Sequence, residues 1–262
     1  MSRTSMITLS AFASNGDRLH HFFGTRHTAQ LLPGEHGDRE VEILAHRITQ
    51  DVVSRQDGSL AELIHECRFV AVKQVHGTDV LAVDEQAPNR ELLEQGWDAL
   101  ITDEPRLCLT IKTADCVPVL LFDPVRRVIG AIHAGWRGTL AAVVPKTIDT
   151  MCERYGSRAQ TLRVAIGPSA ASCCYEVDEP VLSRLRDVFP DWSSVVRPTG
   201  VNRATLDLRR VIRRQAERAG VGTESISAAD HCTICEPDRF YSYRREGSVR
   251  GTMISGIALR AR

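Results

Sequence analysis

Residues 107–138 read LCLTIKTADCVPVLLFDPVRRVIGAIHAGWRG and carry the strongest signal of the fold class. This stretch contains three short apolar or β-branched runs, at 107–111, 117–122 and 128–133, and such runs are typical of strands. Asp123-Pro124 is a turn signal between the second and third runs. The centre of the chain is therefore predicted to be rich in strands.

Further elements are predicted on both sides of this stretch. Strands are predicted at 69–75, 79–83, 98–102, 162–166, 240–244 and 252–259, with His76-Gly77-Thr78 as the turn between the first two. Helices are predicted at 38–56, 140–155, 180–188 and 206–219. Pro145 lies inside the second helix, so that helix begins near Val144 or is kinked. Because helices separate groups of strands, the pattern favours an α/β (α+β) fold with mixed sheets, in one domain over 1–262.

The composition is that of a globular protein and argues against several partners. The chain has 262 residues, with 33 basic and 33 acidic side chains and a formal net charge of zero. Neither a nucleic acid nor a membrane surface is therefore expected as a partner. No apolar run approaches the roughly 18–20 residues of a membrane span, and residues 1–17 are too weakly apolar for a signal peptide. We expect a cytoplasmic protein whose eight cysteines are thiols or metal ligands.

Three side chains with chemical potential lie at the ends of predicted strands. They are His76, Cys116 and His133, and turns or glycines follow two of them. Two imidazoles and a thiolate can bind zinc and leave its fourth position open. Alternatively, Cys116 is a nucleophile that a histidine deprotonates. Since Cys116 is 40 residues from His76 and 17 from His133, structural histidines and a core thiol are the other interpretation.

The remaining cysteines give a weaker signal. Cys232 and Cys235 have the CxxC spacing, but the sequence contains no second such pair, so a structural zinc is not expected there. The vicinal Cys173-Cys174 is expected where a turn packs against a helix.

Four arginines flank glycines or aromatic residues: Arg26, Arg137, Arg244 and Arg245. Each guanidinium could bind a phosphate or a carboxylate as a planar fork, and a surface ion pair is the alternative for each. The GxGxxG, Walker A, GxSxG and HExxH motifs do not occur, so the common dinucleotide, P-loop, serine-hydrolase and zincin interpretations have no support.

Seven motifs follow one another along the chain. They are KQVHG at 73–77, DALIT at 98–102, TADCVP at 113–118, HAGWRG at 133–138, AIGPS at 165–169, CCYEV at 173–177 and FYSYRR at 240–245. In this order they resemble the YfiH family. Its members have been called multicopper polyphenol oxidases, laccase-like proteins and purine nucleoside phosphorylases. The similarity runs from about residue 68 to the C-terminus.

The resemblance implies more than composition or spacing does. It implies a layered fold with mixed sheets, related to cysteine-hydrolase-like toxins of the cytotoxic necrotizing factor type. It places the metal ligands on His76, Cys116 and His133. It implies phosphorolysis of adenosine, inosine and methylthioadenosine, adenosine deamination, and a bacterial role in editing wrongly loaded peptidoglycan precursors. Residues 23–29 and 250–252 depart from the family pattern, and both segments are expected to border the substrate pocket.

The first hypothesis is a zinc-dependent enzyme that acts on purine nucleosides, with copper as the other metal considered. For deamination, zinc would lower the pKa of water toward 7 for attack on C6 of adenine. Asp115 and His133 are the acid or base candidates. Phosphorolysis needs cations around phosphate. The candidates for that role are Arg26, Arg137 and Arg244.

Other classes of function stay open at this point. The second hypothesis is a cysteine hydrolase acting on an amino-acyl or amide bond, with Cys116 as nucleophile and His133 as base. Copper oxidation of phenols ranks lower, because a multicopper electron relay needs more histidines than one His₂Cys set provides. A metal-tuned binding protein is the non-enzymatic alternative. The sequence leaves open whether the protein is a monomer or a homodimer.

Overall fold

The computed structural model describes residues 6–9, 12, 19–29, 66–84 and 90–261, which form a mixed α/β fold. The strands are β1 (Met6–Ile7), β2 (Leu19–Gly24), β3 (Arg68–Val70), β4 (Val80–Ala82), β5 (Ala99–Thr102), β6 (Leu107–Thr113), β7 (Val117–Asp123), β8 (Val128–Ala134), β9 (Arg163–Ile166), β10 (Glu176–Asp178), β11 (Val196–Gly200), β12 (Arg203–Leu206), β13 (Ile226–Ala228) and β14 (Met253–Leu259). The helices are α1 (Arg26–Ala29), α2 (Arg90–Glu94), α3 (Trp136–Leu140), α4 (Val143–Tyr155), α5 (Glu179–Val188), α6 (Leu208–Arg218) and α7 (Tyr243–Glu246). Within these residues, no helix is both long enough and apolar enough to cross a membrane.

The centre of the described fold is a six-stranded sheet in the order β13-β9-β7-β8-β5-β4. Its middle strands β7 and β8 pair antiparallel, with Val119 opposite Ile132. The Asp123 carboxylate holds the turn between them, because it accepts hydrogen bonds from the amides of Val125 at 2.9 Å and Arg126 at 3.2 Å. The strands and the turn predicted within 107–138 are confirmed.

Strand β7 lies in a middle layer and is covered on both faces. Val119 and Leu121 pack on one side in a cluster that includes residues of α4 and α6. Leu120 and Phe122 pack on the other side, in a cluster that includes residues of a five-stranded sheet in the order β1-β2-β14-β6-β3. Because successive side chains of a strand point to opposite faces, a continuous apolar run suits a strand that is covered twice. A third sheet has the order β10-β12-β11.

The helix predicted at 140–155 is interrupted near its start. The chain forms the short helix α3 and then α4, and Ala142, with a left-handed φ of 64°, separates the two helices. Pro145 lies in the first turn of α4, where an amide would have no helical partner, so the prediction of a start near Val144 is confirmed. Gly156, with φ of 65°, ends the helix. Arg137 is therefore in α3 rather than before a single long helix.

The predicted turn at residues 76–78 does not join two paired strands. Strand β3 pairs parallel with β6 in the five-stranded sheet, whereas β4 pairs parallel with β5 in the six-stranded sheet. Residues 71–79 therefore cross from one sheet to the other, and the strand predicted at 69–75 is confined to Arg68–Val70. A local pattern predicts strands but carries no information about which sheet each one joins.

The strand predicted at 240–244 is wrong. The Ser242 hydroxyl accepts a hydrogen bond from the Arg245 amide and caps the short helix α7. The aromatic residues that suggested a strand therefore lie in a loop and at the start of a helix. The helix predicted at 38–56 lies outside the described residues, and one domain over 1–262 stays a prediction.

Gly167, which follows β9, provides a test of the packing between layers. A Cβ at this position would lie 2.3 Å from Cδ1 of Phe23 in β2 and 2.7 Å from Cγ of Pro118 in β7. We expect Gly167→Ala to lower the free energy of unfolding by about 1–3 kcal/mol, measured by urea denaturation. The matched control is Gly200→Ala, since nothing lies within 4 Å of a Cβ there. Equal stability of the two variants would contradict this packing.

Candidate metal and active site

Strand register brings the three candidate ligands to one edge of the six-stranded sheet. Strands β7 and β8 run antiparallel with Pro118 opposite His133, so Cys116, just before β7, lies beside the end of β8. Strand β5 pairs antiparallel with β8, and β4 pairs parallel with β5. The loop before β4, which carries His76, therefore reaches the same edge.

The side chains of His76, Cys116 and His133 form one compact group. One ligand atom from each lies within 4.8 Å of the other two. His76 Nε2 is 3.8 Å from Cys116 Sγ, and the two imidazole centroids are 4.7 Å apart with the rings at 80°. The structure thus brings together the residues that the sequence singled out, whereas their role as ligands stays a prediction.

The chemistry and the space of this group fit a transition metal. Two imidazole nitrogens and one thiolate form the protein part of a zinc site with an open fourth position, and copper accepts the same donors. Gly135 allows both side chains to lie close to the backbone, because a Cβ there would lie 3.0 Å from His76 Cδ2 and 3.1 Å from Cys116 Sγ.

Asp98 organises the group from behind. Its carboxylate is 0% exposed, lies 2.7 Å from Nδ1 of His133, and accepts hydrogen bonds from the amides of residues 75–77. Since Nδ1 is committed to the carboxylate, Nε2 is the nitrogen left for Cys116 or for a metal. Burial by itself raises the pKa of Asp98, but the hydrogen bonds with His133 and the loop amides outweigh it and lower that pKa.

The loop that carries His76 is held in an uncommon backbone conformation. His76 has a φ of 63°, in the left-handed region that a residue with a Cβ seldom adopts. The side-chain amide of Gln74 anchors this loop to β6, because it accepts from the Lys112 amide and donates to the Lys112 carbonyl, both at 2.8 Å. Together with the bonds to Asp98, these contacts hold the His76 imidazole toward Cys116.

The pKa of the Cys116 thiol is lowered and the pKa of the His133 imidazole is raised. Burial raises the pKa of the Cys116 thiol, but hydrogen bonds with His133 and His76 outweigh it and bring the pKa to about 7. Burial lowers the pKa of His133, but Asp98 and Cys116 outweigh it and bring the pKa to about 9. A thiolate is therefore accessible near neutral pH, as both metal binding and nucleophilic catalysis require.

Both carboxylate oxygens of Asp115 are engaged by other side chains and backbone. Oδ1 accepts from the Thr233 hydroxyl at 2.6 Å, and Oδ2 accepts from the Ser242 hydroxyl at 2.9 Å and the Arg244 amide at 2.7 Å. These bonds tie the residue before Cys116 to two other loops. The contacts support Asp115 as a positioning residue, and its predicted role as acid or base stays a prediction.

Tyr175 lies near the thiol and two of the candidate arginines. Burial, together with the charge of Cys116, raises the pKa of its phenol to about 12, and Arg244 and Arg137 oppose this rise. The Arg244 guanidinium is 5.1 Å from the centre of the Tyr175 ring and donates to the Glu176 carbonyl at 2.5 Å. Tyr175 is therefore part of the surroundings of Cys116.

The other two candidate arginines have different surroundings. Arg137 is exposed and stacks on the Trp136 ring at 4.4 Å. Its guanidinium has no hydrogen bond or ion pair to the part of the chain that the structure describes. Arg26 donates to the Pro237 carbonyl and stacks on Tyr241 at 4.8 Å, so that guanidinium is committed to the loop 237–241.

The sequence prediction omits two residues that shape the site: Asp98 and Tyr175. Asp98 and Tyr175 lie inside the motifs at 98–102 and 173–177. The available signal for Asp98 is a carboxylate directly before a fully buried strand, which needs a partner. No local signal identifies Tyr175, because its proximity to Cys116 arises from the packing of separate loops.

A mixed-sheet fold with a histidine–cysteine group backed by a buried carboxylate defines the general class, a candidate metalloenzyme. A family model described as multi-copper polyphenol oxidoreductase laccase matches residues 44–260. The chain belongs to this family, which includes the proteins named YfiH. The crystal structure of the hypothetical protein YfiH from Bacillus licheniformis has a TM-score of 0.81 and 27% identity, covering 98% of this chain and 97% of that one.

Relatives of the chain carry two kinds of enzyme name. Purine nucleoside phosphorylase YlmD of Geobacillus stearothermophilus is 35% identical over 74% of this chain and 73% of its own length. Adenosine deaminase RL5, from an unknown prokaryotic organism, is 32% identical over 84% of this chain and 83% of its own length. The match to mouse purine nucleoside phosphorylase LACC1, 31% identical over 74% of this chain, spans 44% of that protein.

Replacement of Asp98 by asparagine tests its support of His133. Asp98→Asn keeps the shape but removes the charge opposite Nδ1, so we expect affinity for zinc to fall about 10–100-fold, measured by competition with a chelator. The matched control is Asp79→Asn, since the Asp79 carboxylate is 67% exposed and pairs with Lys146. Unchanged affinity in a folded Asp98→Asn protein would contradict the role assigned to Asp98.

The pKa of Cys116 predicts how its alkylation varies with pH in chelator-treated protein. With a pKa of about 7, the thiolate persists above neutral pH and is lost as the pH falls through 7. We expect iodoacetamide labelling of Cys116, followed by peptide mass spectrometry, to have its midpoint near pH 7 and to move upward in His133→Asn. Cys152 is the internal control, because burial raises the pKa of that thiol. Coincident midpoints for both cysteines would refute the lowered pKa.

Proposed function

We propose that this protein is a metal-dependent purine nucleoside enzyme, which phosphorolyses adenosine, inosine and methylthioadenosine and also deaminates adenosine. The observation that carries the proposal is the convergence of His76, Cys116 and His133, with Asp98 behind them, at one sheet edge. The names of the YlmD and RL5 relatives supply the substrate class. Purine nucleosides and phosphate are thus the proposed partners, and the proposed location is the cytoplasm.

In this proposal, His76, Cys116 and His133 hold the metal, and zinc is favoured over copper. Zinc at this site would polarise water or substrate oxygen without any redox change. Asp98 would keep the His133 ring oriented and its Nε2 available. Gly135 would allow the metal ligands His76 and Cys116 to lie close to the backbone.

Phosphorolysis forms a bond between a phosphate oxygen and C1′ of the ribose, while the N9–C1′ bond breaks and the purine leaves with a proton. The phosphate needs cations, and Arg137 and Arg244 both lie within electrostatic reach of Tyr175 near Cys116. Arg137 is the better candidate, because its exposed guanidinium stacks on Trp136 but has no hydrogen bond or ion pair to a described residue. A role of Arg26 in phosphate binding stays a prediction.

A cysteine hydrolase is the second candidate function. It is favoured by the pKa of about 7 at Cys116 and by the His133–Asp98 pair. In such an enzyme Cys116 would be the nucleophile, His133 the base and Asp98 the carboxylate that orients the base. Amino-acyl or amide bonds, as in peptidoglycan precursor editing, would be its substrates, and the relationship to cysteine-hydrolase-like toxins belongs with this alternative. Copper oxidation of phenols ranks below both, since one His₂Cys group provides few ligands for an electron relay.

Metal content and products together test the proposal. The purified protein is analysed for metals and then incubated with adenosine, with and without phosphate. Adenine and ribose 1-phosphate that appear only with phosphate indicate phosphorolysis, and inosine indicates deamination. The absence of both products from metal-loaded protein would refute the proposal and leave the hydrolase, which alkylation of Cys116 should then inactivate.

Arg137→Lys separates phosphate binding from a structural role. Lysine keeps the charge but loses the planar fork, so we expect the KM for phosphate to rise on the order of tenfold while the melting temperature stays constant. Arg210→Lys, on the exposed side of α6, is the control for the substitution itself. An unchanged KM together with a lower melting temperature would assign Arg137 to the stacking on Trp136 alone.

A further inference from the structure

A second group of metal-ligating side chains lies outside the His76–Cys116–His133 group. Its members are Cys173, Cys174, Cys232 and Cys235, whose sulfur atoms all lie within 4.8 Å of one another. The two groups share no residue. The sequence lacks a second CxxC pair, but the vicinal pair Cys173-Cys174 supplies the other two thiols.

The fold explains why these four cysteines meet. Strands β9 and β13 are parallel neighbours, so the loops that follow them leave the same edge of the sheet. The pairing continues beyond the strands, because Ser169 and Cys232 form a parallel bridge and the Thr233 amide donates to the Ser169 carbonyl at 3.1 Å. One loop brings the vicinal pair and the other brings the CxxC pair. Cys173 and Cys174 lie in a turn, as expected, and the expected packing of that turn against a helix stays a prediction.

The sulfur positions suit a tetrahedral metal. Zinc bound by four thiolates at about 2.3 Å requires sulfur atoms about 3.8 Å apart. The Cys173 and Cys174 sulfurs lie 3.5 Å and 2.8 Å from the Cys235 sulfur, so small side-chain rotations would reach that spacing. Cys173 and Cys235 are exposed and Cys232 is buried, so a metal can enter from the surface and bind at the base of the loops.

The CxxC turn is organised independently of any metal. The Cys232 amide donates to Oε1 of Glu236 at 3.0 Å, and the Glu236 amide donates to the Cys232 carbonyl at 3.1 Å. The Arg245 guanidinium donates to the carbonyls of Thr233 at 2.6 Å and Ile234 at 3.0 Å. The turn therefore has its shape before a cation binds, which reduces the ordering cost of binding.

We propose that Cys173, Cys174, Cys232 and Cys235 form a second metal site, a structural Zn²⁺ site with four thiolate ligands and no open position. Four thiolates select zinc over hard cations such as magnesium or calcium. The site clamps together two loops that lie in different parts of the sequence, as structural zinc sites do.

The position of the site gives it a consequence for the candidate active site. Thr233, between the two CxxC cysteines, donates to Asp115, which directly precedes Cys116. Tyr175 directly follows Cys174 and lies beside Arg244. Zinc at the four cysteines would therefore hold the two loops that carry Thr233 and Tyr175 in place near Cys116, without contacting a substrate itself. The proposal concerns a separate site and does not depend on which reaction the enzyme performs.

Zinc counting in matched variants tests the proposal. Purified, zinc-saturated full-length protein is freed of loose metal, and its zinc is measured by plasma mass spectrometry. We expect two zinc ions per chain in wild type and one in Cys235→Ser. Cys116→Ser should also hold one, and the double variant none. Cys152→Ser, which alters a cysteine outside both groups, should retain the wild-type number. Cys235→Ser with the wild-type zinc content would overturn the proposal.

A second measurement needs no variant, so misfolding cannot confuse it. Wild-type protein is alkylated with iodoacetamide in four reactions, with and without a phosphine reductant and with and without a chelator, and each cysteine peptide is quantified. We expect all four cysteines of the site to be protected until the chelator is added, and then to be labelled together. Labelling without chelator would overturn the proposal, as free thiols if it occurs without reductant and as a disulfide if it requires reductant.

Discussion

The hydrogen bond between Asp98 and His133 is the interaction on which the rest of the site depends. A carboxylate that is 0% exposed would be strongly destabilising without compensation. Here it is compensated by the imidazole at 2.7 Å and by three amides of the loop at 75–77. One buried charge therefore fixes the ring of His133 and the backbone of His76 together. The fold and the candidate metal ligands are coupled through this single group.

The middle position of the six-stranded sheet makes this coupling possible. Helices cover one of its faces and the five-stranded sheet covers the other, so β7 and β8 are buried along their whole length. Their ends are the places where polar side chains emerge from that core. Because β4, β5, β7 and β8 share one edge, the residues before or after them meet without any motif that is contiguous in sequence.

Asp115 connects that edge to the loops that hold the four-cysteine group. Its two oxygens accept hydrogen bonds from the hydroxyls of Thr233 and Ser242 and from the Arg244 amide. A shift of these loops would therefore move the residue directly before Cys116. The described residues thus contain two clusters of side chains that could hold a metal, with different geometry. One has two imidazoles and a thiol packed closely against Gly135, and the other has four sulfur atoms. An open site suits chemistry and a closed one suits mechanical support.

Most local elements, and the three side chains that converge at the candidate site, could be predicted from the sequence. Apolar period and turn residues are local properties, so the strands within 107–138 and the ends of α4 could be read directly. Contacts between residues that are distant in sequence could not be predicted, because strand register and sheet order depend on the packing of the whole chain. Three features depend on the tertiary structure alone. They are the crossing of residues 71–79 between sheets, the support of His133 by Asp98, and the contact of Cys173-Cys174 with the CxxC pair.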